Sequence, residues 1–216
     1  MSGCECKPDA KRERDSAKQQ ARAQQMISAI VLAAGKSERM GRPKALLPFR
    51  GSAFLENILE VISRSQIGHT SVVVGHHRSD IEHINISVPL VFNPNYEQGM
   101  VTSLQAGIRA LPPETLGAFL FLVDHPVVEV ATIEAMIPKL APDRIVQPTF
   151  EGRRGHPVLF GVEILEEILQ LPSSQGADVV VRRDPGRLFQ VSVKSSGILV
   201  DVDTPEQFAQ FQADHS

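Results

Sequence analysis

From Ile27 onward, short apolar runs alternate with segments whose apolar residues recur every three or four positions. The runs 27–32, 71–74, 90–92, 118–123, 145–147, 157–160, 188–193 and 198–202 are rich in Val, Ile, Leu and Phe and mostly do not alternate with polar residues. Such runs fit strands buried on both faces of a sheet. Between them lie helical stripes. Phe54, Ile58, Leu59, Val61 and Ile62 form one, and Leu104, Ile108 and Leu111 a second. Ile133, Met136, Ile137 and Leu140 form a third, and Val162, Leu165, Ile168 and Leu169 a fourth. Thr204, as N-cap, and Pro205, in the first turn, predict a final helix. The pattern predicts an α/β protein: a three-layer α/β/α single domain on a mostly parallel, mixed sheet. Ligands of open α/β sheets bind beyond the carboxyl ends of the strands. The polar residues that follow each strand are therefore the functional candidates.

Composition narrows the picture. Residues 1–25, including "KPDAKRERDSAKQQARAQQ", carry many charges and almost no large apolar side chain. They read as a polar tail, disordered or a frayed helix, ahead of a folded unit at 26–216. Met26 directly precedes the first predicted strand and offers an alternative translation start. Cys4 and Cys6 are the only cysteines, so the core has no disulfide framework and no Cys-based zinc site. Hydrophobic residues make up 42% of the chain, charged residues 22%, and the net charge is -3. That balance argues against a dedicated nucleic-acid or membrane binder, which needs a basic face. No run approaches the roughly 20 apolar residues of a membrane span, and the polar N-terminus lacks a signal-peptide pattern. The expectation is a cytoplasmic protein.

The first strand runs into Leu32-Ala33-Ala34-Gly35-Lys36-Ser37. A Walker A loop needs glycine five places before its GK[ST], and that place is Ile30. A G-x-G-x-x-G dinucleotide fingerprint is also missing. What remains is a small-residue turn whose backbone N–H groups can face an anion, with cations at Lys36, Arg39 and Lys44. Spacing alone leaves two readings, a phosphate-binding loop or a solvated basic loop.

Other strand ends offer further chemistry. Asp124 follows 118–123 and is suited to hold Mg²⁺ through oxygen, or to cap its own turn. Period two places Asp201 and Asp203 on one face of the last strand, where two carboxylates need a cation or donor between them. Asp203 could instead cap the final helix. Asn93, Thr102 and Ser103 surround a helix start and serve either a nucleoside or turn and cap chemistry. Gly75-His76-His77-Arg78 follows a strand; adjacent histidines diverge, so a nucleobase-facing loop or a solvated turn fits better than a metal site. Arg153, Arg154 and His156 precede 157–160 and suit the phosphate and polar rings of a second substrate, with Asp178, Arg182 and Arg183 as flanking candidates.

Taken together, five blocks resemble the MobA-like nucleotidyltransferases, and look most similar to the molybdenum cofactor cytidylyltransferases. "LAAGKSERMGRPKALLPF" is similar to the signature L-A-A-G-x-S-x-R-M-G-x-x-K-x-L-L-P. "NPNYEQGMVTSLQAGI", "FLVDHPVV", "GHPVLF" and "ILVDVDTPEQF" resemble the later blocks, in order, over 27–211. The resemblance implies a Rossmann-like fold of the nucleotide-diphospho-sugar transferase type. It implies transfer of CMP from CTP to the terminal phosphate of molybdenum-bearing molybdopterin, with release of pyrophosphate and dependence on Mg²⁺. Leu32, Ala33, Ala34, Gly35, Lys36, Ser37, Arg39, Lys44, His76, Asn93, Ser103 and Asp124 then fall on the nucleotide. Arg39, Lys44 and Asp124 are the catalytic group. Asp124 is the first choice of metal ligand, with Asp203 ranked slightly above Asp201. Arg154, His156 and Asp178 fall on the second substrate. A molybdoenzyme or its maturation factor is the implied partner, and the chain is read as a monomer. Guanylyltransferases of the superfamily tend to read L-A-G-G, so the methyl of Ala34 favours the smaller pyrimidine. The alternatives are a guanylyltransferase or other small-phosphate nucleotidyltransferase, or a non-catalytic nucleotide-binding maturation partner. The intact Lys44, Arg39 and Asp124 speak against the last.

Overall fold

A computed structural model of the chain describes residues 26–84 and 86–215. The readings made for residues 1–25, including Cys4 and Cys6, lie outside the described residues.

The first strand, β1 (Met26–Ala33), is buried along its last six positions. Period two sends Ala29, Val31 and Ala33 into one core, and Ile30, Leu32 and Ala34 into the other. Two short strands not anticipated from sequence, β2 (Pro48–Phe49) and β3 (Ser52–Ala53), form a small antiparallel ladder. The chain continues through α1 (Phe54–Ser63), β4 (His69–Val74), α2 (Arg78–Glu82), β5 (Leu90–Phe92), α3 (Met100–Arg109), β6 (Thr115–Leu122) and α4 (Val130–Met136). It ends with β7 (Ile145–Phe150), β8 (Arg153–Arg154), β9 (Val158–Gly161), α5 (Val162–Leu169), α6 (Asp178–Arg183), β10 (Leu188–Ser192) and α7 (Pro205–Asp214).

Among the described residues the main sheet is eight-stranded, in the order β10-β7-β9-β6-β1-β4-β5, with β8 paired to β7. The pairs β1/β4, β1/β6, β4/β5 and β10/β7 are parallel, whereas β9 is antiparallel to both of its neighbours. Leu55, Ile58, Ile62, Ile81, Ile133 and Met136 cover one face of the sheet. Leu104, Ile108, Ile164, Leu165, Ile168 and Val180 cover the other. This is the expected three-layer α/β/α arrangement on a mostly parallel sheet.

A third cluster sits at one end. Met40, Leu47, Phe49, Phe54, Val202, Phe208 and Phe211 pack together. The Phe211 ring lies 4.9 Å from Phe49 and 5.3 Å from Phe54, edge-on to both. This cluster fastens the loop after β1 to the last turns of the chain. Helix α7 starts as its sequence indicates. The Thr204 hydroxyl accepts from the Gln207 N–H at 3.3 Å, and Gln207 Oε1 accepts from the Thr204 N–H at 3.0 Å.

One predicted strand is absent. Residues 198–202 do not join the sheet; a 3₁₀ turn, Ser196–Leu199, leads into irregular chain up to Thr204. The backbone here makes other bonds. Ile198 C=O accepts from His156 N–H at 3.0 Å, and Val202 N–H donates to Asp124 C=O at 2.9 Å.

Candidate functional site

Strand register builds the site. Ala33 is paired with Val74, Val74 with Phe92, and Leu32 with Leu122. The segments starting at Ala34, Gly75, Asn93 and Val123 therefore leave the sheet side by side. A cleft of about 540 Å³ opens over them, walled by Leu32 through Arg39, Pro43, Lys44, His77, Tyr96, Glu97, Met100, Ser103, Asp124 and Asp203.

The loop after β1 is held open by its own turn. Ser37 adopts a left-handed conformation (φ 54°). Its C=O accepts from the N–H groups of Met40 and Gly41 at 3.0 Å, and its hydroxyl accepts from the Lys44 N–H at 3.3 Å. The N–H groups of Gly35, Lys36, Ser37 and Glu38 find no hydrogen-bond partner among the described residues. Met40, 4% exposed in the third cluster, anchors the end of the loop.

The cations divide by environment. The Lys44 side chain is 11% exposed. Its ammonium donates to Asp124 Oδ2 at 3.3 Å and is paired with Asp203 Oδ1. Arg39 reaches Asp203 Oδ2 from the open side at 2.5 Å. The Lys44 contact, then the Lys44 and Arg39 charges, hold the Asp203 carboxyl below the usual carboxylate range. Lys36 turns to the far wall, where it pairs with Glu97 at 2.7 Å. This bond raises the Lys36 ammonium and lowers the Glu97 carboxyl from their ordinary values.

On the other wall, Asn93 is buried and donates to Thr102 Oγ1 and Ser103 Oγ, both at 2.9 Å. Asn93 thus orients Ser103, which lines the cleft, and does not line it itself. His76 is exposed and meets Tyr96 Oη at 3.3 Å, whereas His77 lines the cleft. His77 Nε2 sits 2.9 Å from Lys36 C=O and Nδ1 sits 3.1 Å from Asp80. The sequence reading put His76 on the nucleotide; the turn after Gly75 directs its neighbour inward instead. Gly75 is required by close approach, since a Cβ there would stand 2.6 Å from Ala34 C=O and 2.8 Å from the Tyr96 ring.

A second centre adjoins Asp124. The Val202 to Asp124 backbone bond lays the terminal segment along the end of β6. With Val202 buried beneath, Asp203 points to Lys44, and Asp201 gathers with Asp124 and His125. One ligand atom each from Asp124, His125 and Asp201 lie within 4.8 Å of one another. Partial burial, and then the Asp124 carboxylate, push the Asp201 carboxyl up. Because β9 runs backwards, Leu120 pairs with Val158 and the start of β9 lies at the same sheet edge. His156 thereby packs on His125, ring centroids 4.6 Å apart. Burial, and then the neighbouring His125, push the His156 imidazole down to about 4. Asp124 Oδ1, His125 Nδ1 and His156 Nδ1 are all buried without a hydrogen-bond partner among the described residues.

The sequence-based candidates are thus only partly assembled. Leu32 to Ser37, Arg39, Lys44, Ser103, Asp124 and Asp203 line one cleft. His156 and Asp201 meet beside it. Arg154 is exposed on β8, two residues before His156 in the chain. Asp178 is exposed at the start of α6, paired with Arg182, and lines no part of the cleft. The shared face expected for Asp201 and Asp203 is replaced by divergence toward different partners. Sequence reasoning singled out the loop of His77 but chose its neighbour, and it missed Tyr96, Glu97, Met100 and His125. The shared His-Pro of "DHP" and "GHP" was the signal available for His125.

Residues 29–188 match the MobA-like NTP transferase domain. The chain is 30% identical over 189 residues to the molybdenum cofactor cytidylyltransferase of Escherichia coli (strain K12), covering 84% of this chain and 93% of that protein. It is 29% identical over 196 residues to the nicotine blue oxidoreductase of Paenarthrobacter nicotinovorans, covering 84% and 94%. Among solved structures it superposes on Rv0371c from Mycobacterium tuberculosis H37Rv with a TM-score of 0.78 at 27% identity, covering 86% and 96%.

Proposed function

The chain belongs to the MobA-like NTP transferase domain family and is a nucleotidyltransferase related to molybdenum cofactor transferases; from that premise, we propose that it moves CMP from CTP to the terminal phosphate of molybdenum-bearing molybdopterin in a Mg²⁺-dependent reaction. An acceptor phosphate oxygen attacks the α-phosphorus. A new P–O bond forms, the bond to the β-phosphate breaks, and pyrophosphate leaves with the electron pair. The attacking oxygen is already anionic, so no general base is needed. Positioning and charge neutralisation carry the rate.

The single observation that carries this reading is Lys44, largely buried between Asp124 and Asp203 beneath a loop in which four N–H groups have no partner among the described residues. The loop N–H groups and the Arg39 and Lys44 cations take up charge on the departing phosphates. Ser103, oriented by Asn93, serves the nucleoside wall. His156 and Arg154 serve the acceptor side. The donor set beside Lys44 fits a divalent cation. It offers two carboxylates, one of them with a buried oxygen lacking a partner among the described residues and the other pushed up by partial burial and then by the first. Asp124 and Asp201 would hold the ion, which supplies neutralisation of phosphate charge when bound.

Two relatives of nearly equal identity differ in the activity of their names, so acceptor and base require measurement. The experiment is pyrophosphate release with CTP, GTP and ATP in parallel, with Mg²⁺, with and without molybdenum-loaded molybdopterin. CTP-selective, pterin-dependent release is expected. Preference for GTP would make the protein a guanylyltransferase. Tight nucleotide binding without turnover would make it a non-catalytic partner.

A further inference from the structure

The cation centre of the proposed reaction contains a nitrogen donor that the reaction as written does not use. One ring nitrogen of His125 lies within 4.8 Å of a carboxylate oxygen of Asp124 and one of Asp201. Ligands opposite each other around a small octahedral divalent ion stand about 4.2 Å apart, given metal–oxygen bonds of about 2.1 Å. The three atoms are therefore within a small side-chain adjustment of enclosing one ion. His125 is held in place from both sides. Its backbone N–H donates to Leu122 C=O at 3.1 Å, and the His156 ring packs on its ring with centroids 4.6 Å apart. Among the described residues no side chain or backbone group satisfies its buried Nδ1.

Donor chemistry discriminates between ions. Mg²⁺ takes oxygen ligands and dehydrates reluctantly, whereas imidazole suits the later first-row ions Fe²⁺, Ni²⁺, Cu²⁺ and Zn²⁺, with Mn²⁺ the weakest-binding of that series. We propose that His125 is a direct metal ligand alongside Asp124 and Asp201, and that this centre takes a first-row transition-metal dication by a nitrogen bond in preference to Mg²⁺, Mn²⁺ being the weakest-binding of that series and its paramagnetic probe. His156 is a positioning residue: its ring fixes the plane of His125 from the reversed strand β9. The proposal rests on the nucleotidyl-transfer reading for the use of the ion, but not for its binding.

The test uses the full chain without nucleotide and Mn²⁺ alone as probe. Pulsed electron paramagnetic resonance reads nitrogen coupled to bound Mn²⁺, and competition with Mg²⁺ reads relative affinity. Wild type is expected to show imidazole nitrogen coupling. His125→Asn should lose it, with Mn²⁺ affinity down at least about tenfold and Mg²⁺ affinity changed less than about threefold. His125→Asp, which offers oxygen instead, should still bind Mn²⁺ but without the coupling and with a narrower margin over Mg²⁺. That second variant separates ligation from folding. Absence of nitrogen coupling in wild type, or its persistence in both variants, overturns the proposal. Nitrogen coupling without any CTP-dependent pyrophosphate release would sink the transfer reading and leave this inference standing.

Discussion

Lys44 concentrates the electrostatics of the cleft in one side chain. Its ammonium is mostly out of water and has a carboxylate on either side, from Asp124 and Asp203. A charge in that position acts on an incoming polyphosphate with little screening, whereas Arg39, 70% exposed, acts through solvent. Lys44→Met is expected to lower kcat/KM for pyrophosphate release by about 10²–10³. Arg39→Met should cost distinctly less. Steady-state kinetics on the two variants checks the order, and a near-normal rate for Lys44→Met would remove this lysine from charge neutralisation. Lys44 was legible in the sequence because the surrounding R-M-G-x-x-K spacing marks it. His125 was not, because an Asp-His-Pro after a strand also reads as a turn, and only the arrival of His156 gives its ring a neighbour.

At the level of elements, the site depends on two segments outside the parallel sheet. The link between β8 and β9 and the turn Ser196–Leu199 touch backbone to backbone at Gly155, where a Cβ would lie 2.2 Å from Ile198 C=O. Gly155→Ala must push them apart, at a cost of about 1–3 kcal/mol, the range for overpacked sites. It should also displace His156, whose N–H bonds the same carbonyl. The expected outcome is a lower melting temperature together with a raised KM for the phosphate acceptor. A melting temperature equal to wild type would show that the contact yields freely. The last predicted strand failed for a related reason. Its Ile, Leu and Val residues have strand propensity, but their backbone groups are taken by His156 and Asp124 rather than by a neighbouring strand. The 3.6-residue stripes, in contrast, were reliable, because each helix needs only one apolar face against the sheet.

For the whole molecule, the three clusters of buried residues among the described residues, with the hydrophobics packed against them, run from Ile27 to Phe211. We propose that residues 26–216 fold without help from residues 1–25. A chain beginning at Met26 is then expected to melt within about 3 °C of the full chain, the equivalent of roughly 1 kcal/mol for a protein of this size. It should also release pyrophosphate at an unchanged rate. Calorimetry and the release assay check both, and loss of either would give residues 1–25 a part in the fold or the reaction. The aromatic cluster around Phe54 and Phe211 is also a property of the whole chain. It ties residue 40 to residue 202, and so brings the cations of the first loop to the acids of the last segment.

The sequence by itself determined the layered α/β architecture, most strand and helix positions, and the candidate residues of the loop after β1. Those features follow from local periodicity and from residue types at a single turn. Only the tertiary structure decided which acids share a centre. Asp201 and Asp203 part company because Val202 N–H is bonded to Asp124 C=O, which turns one carboxylate toward His125 and the other toward Lys44. Only the structure, too, brought His156 onto His125, because strand direction is set by pairing between distant segments and leaves no mark in the local pattern of β9.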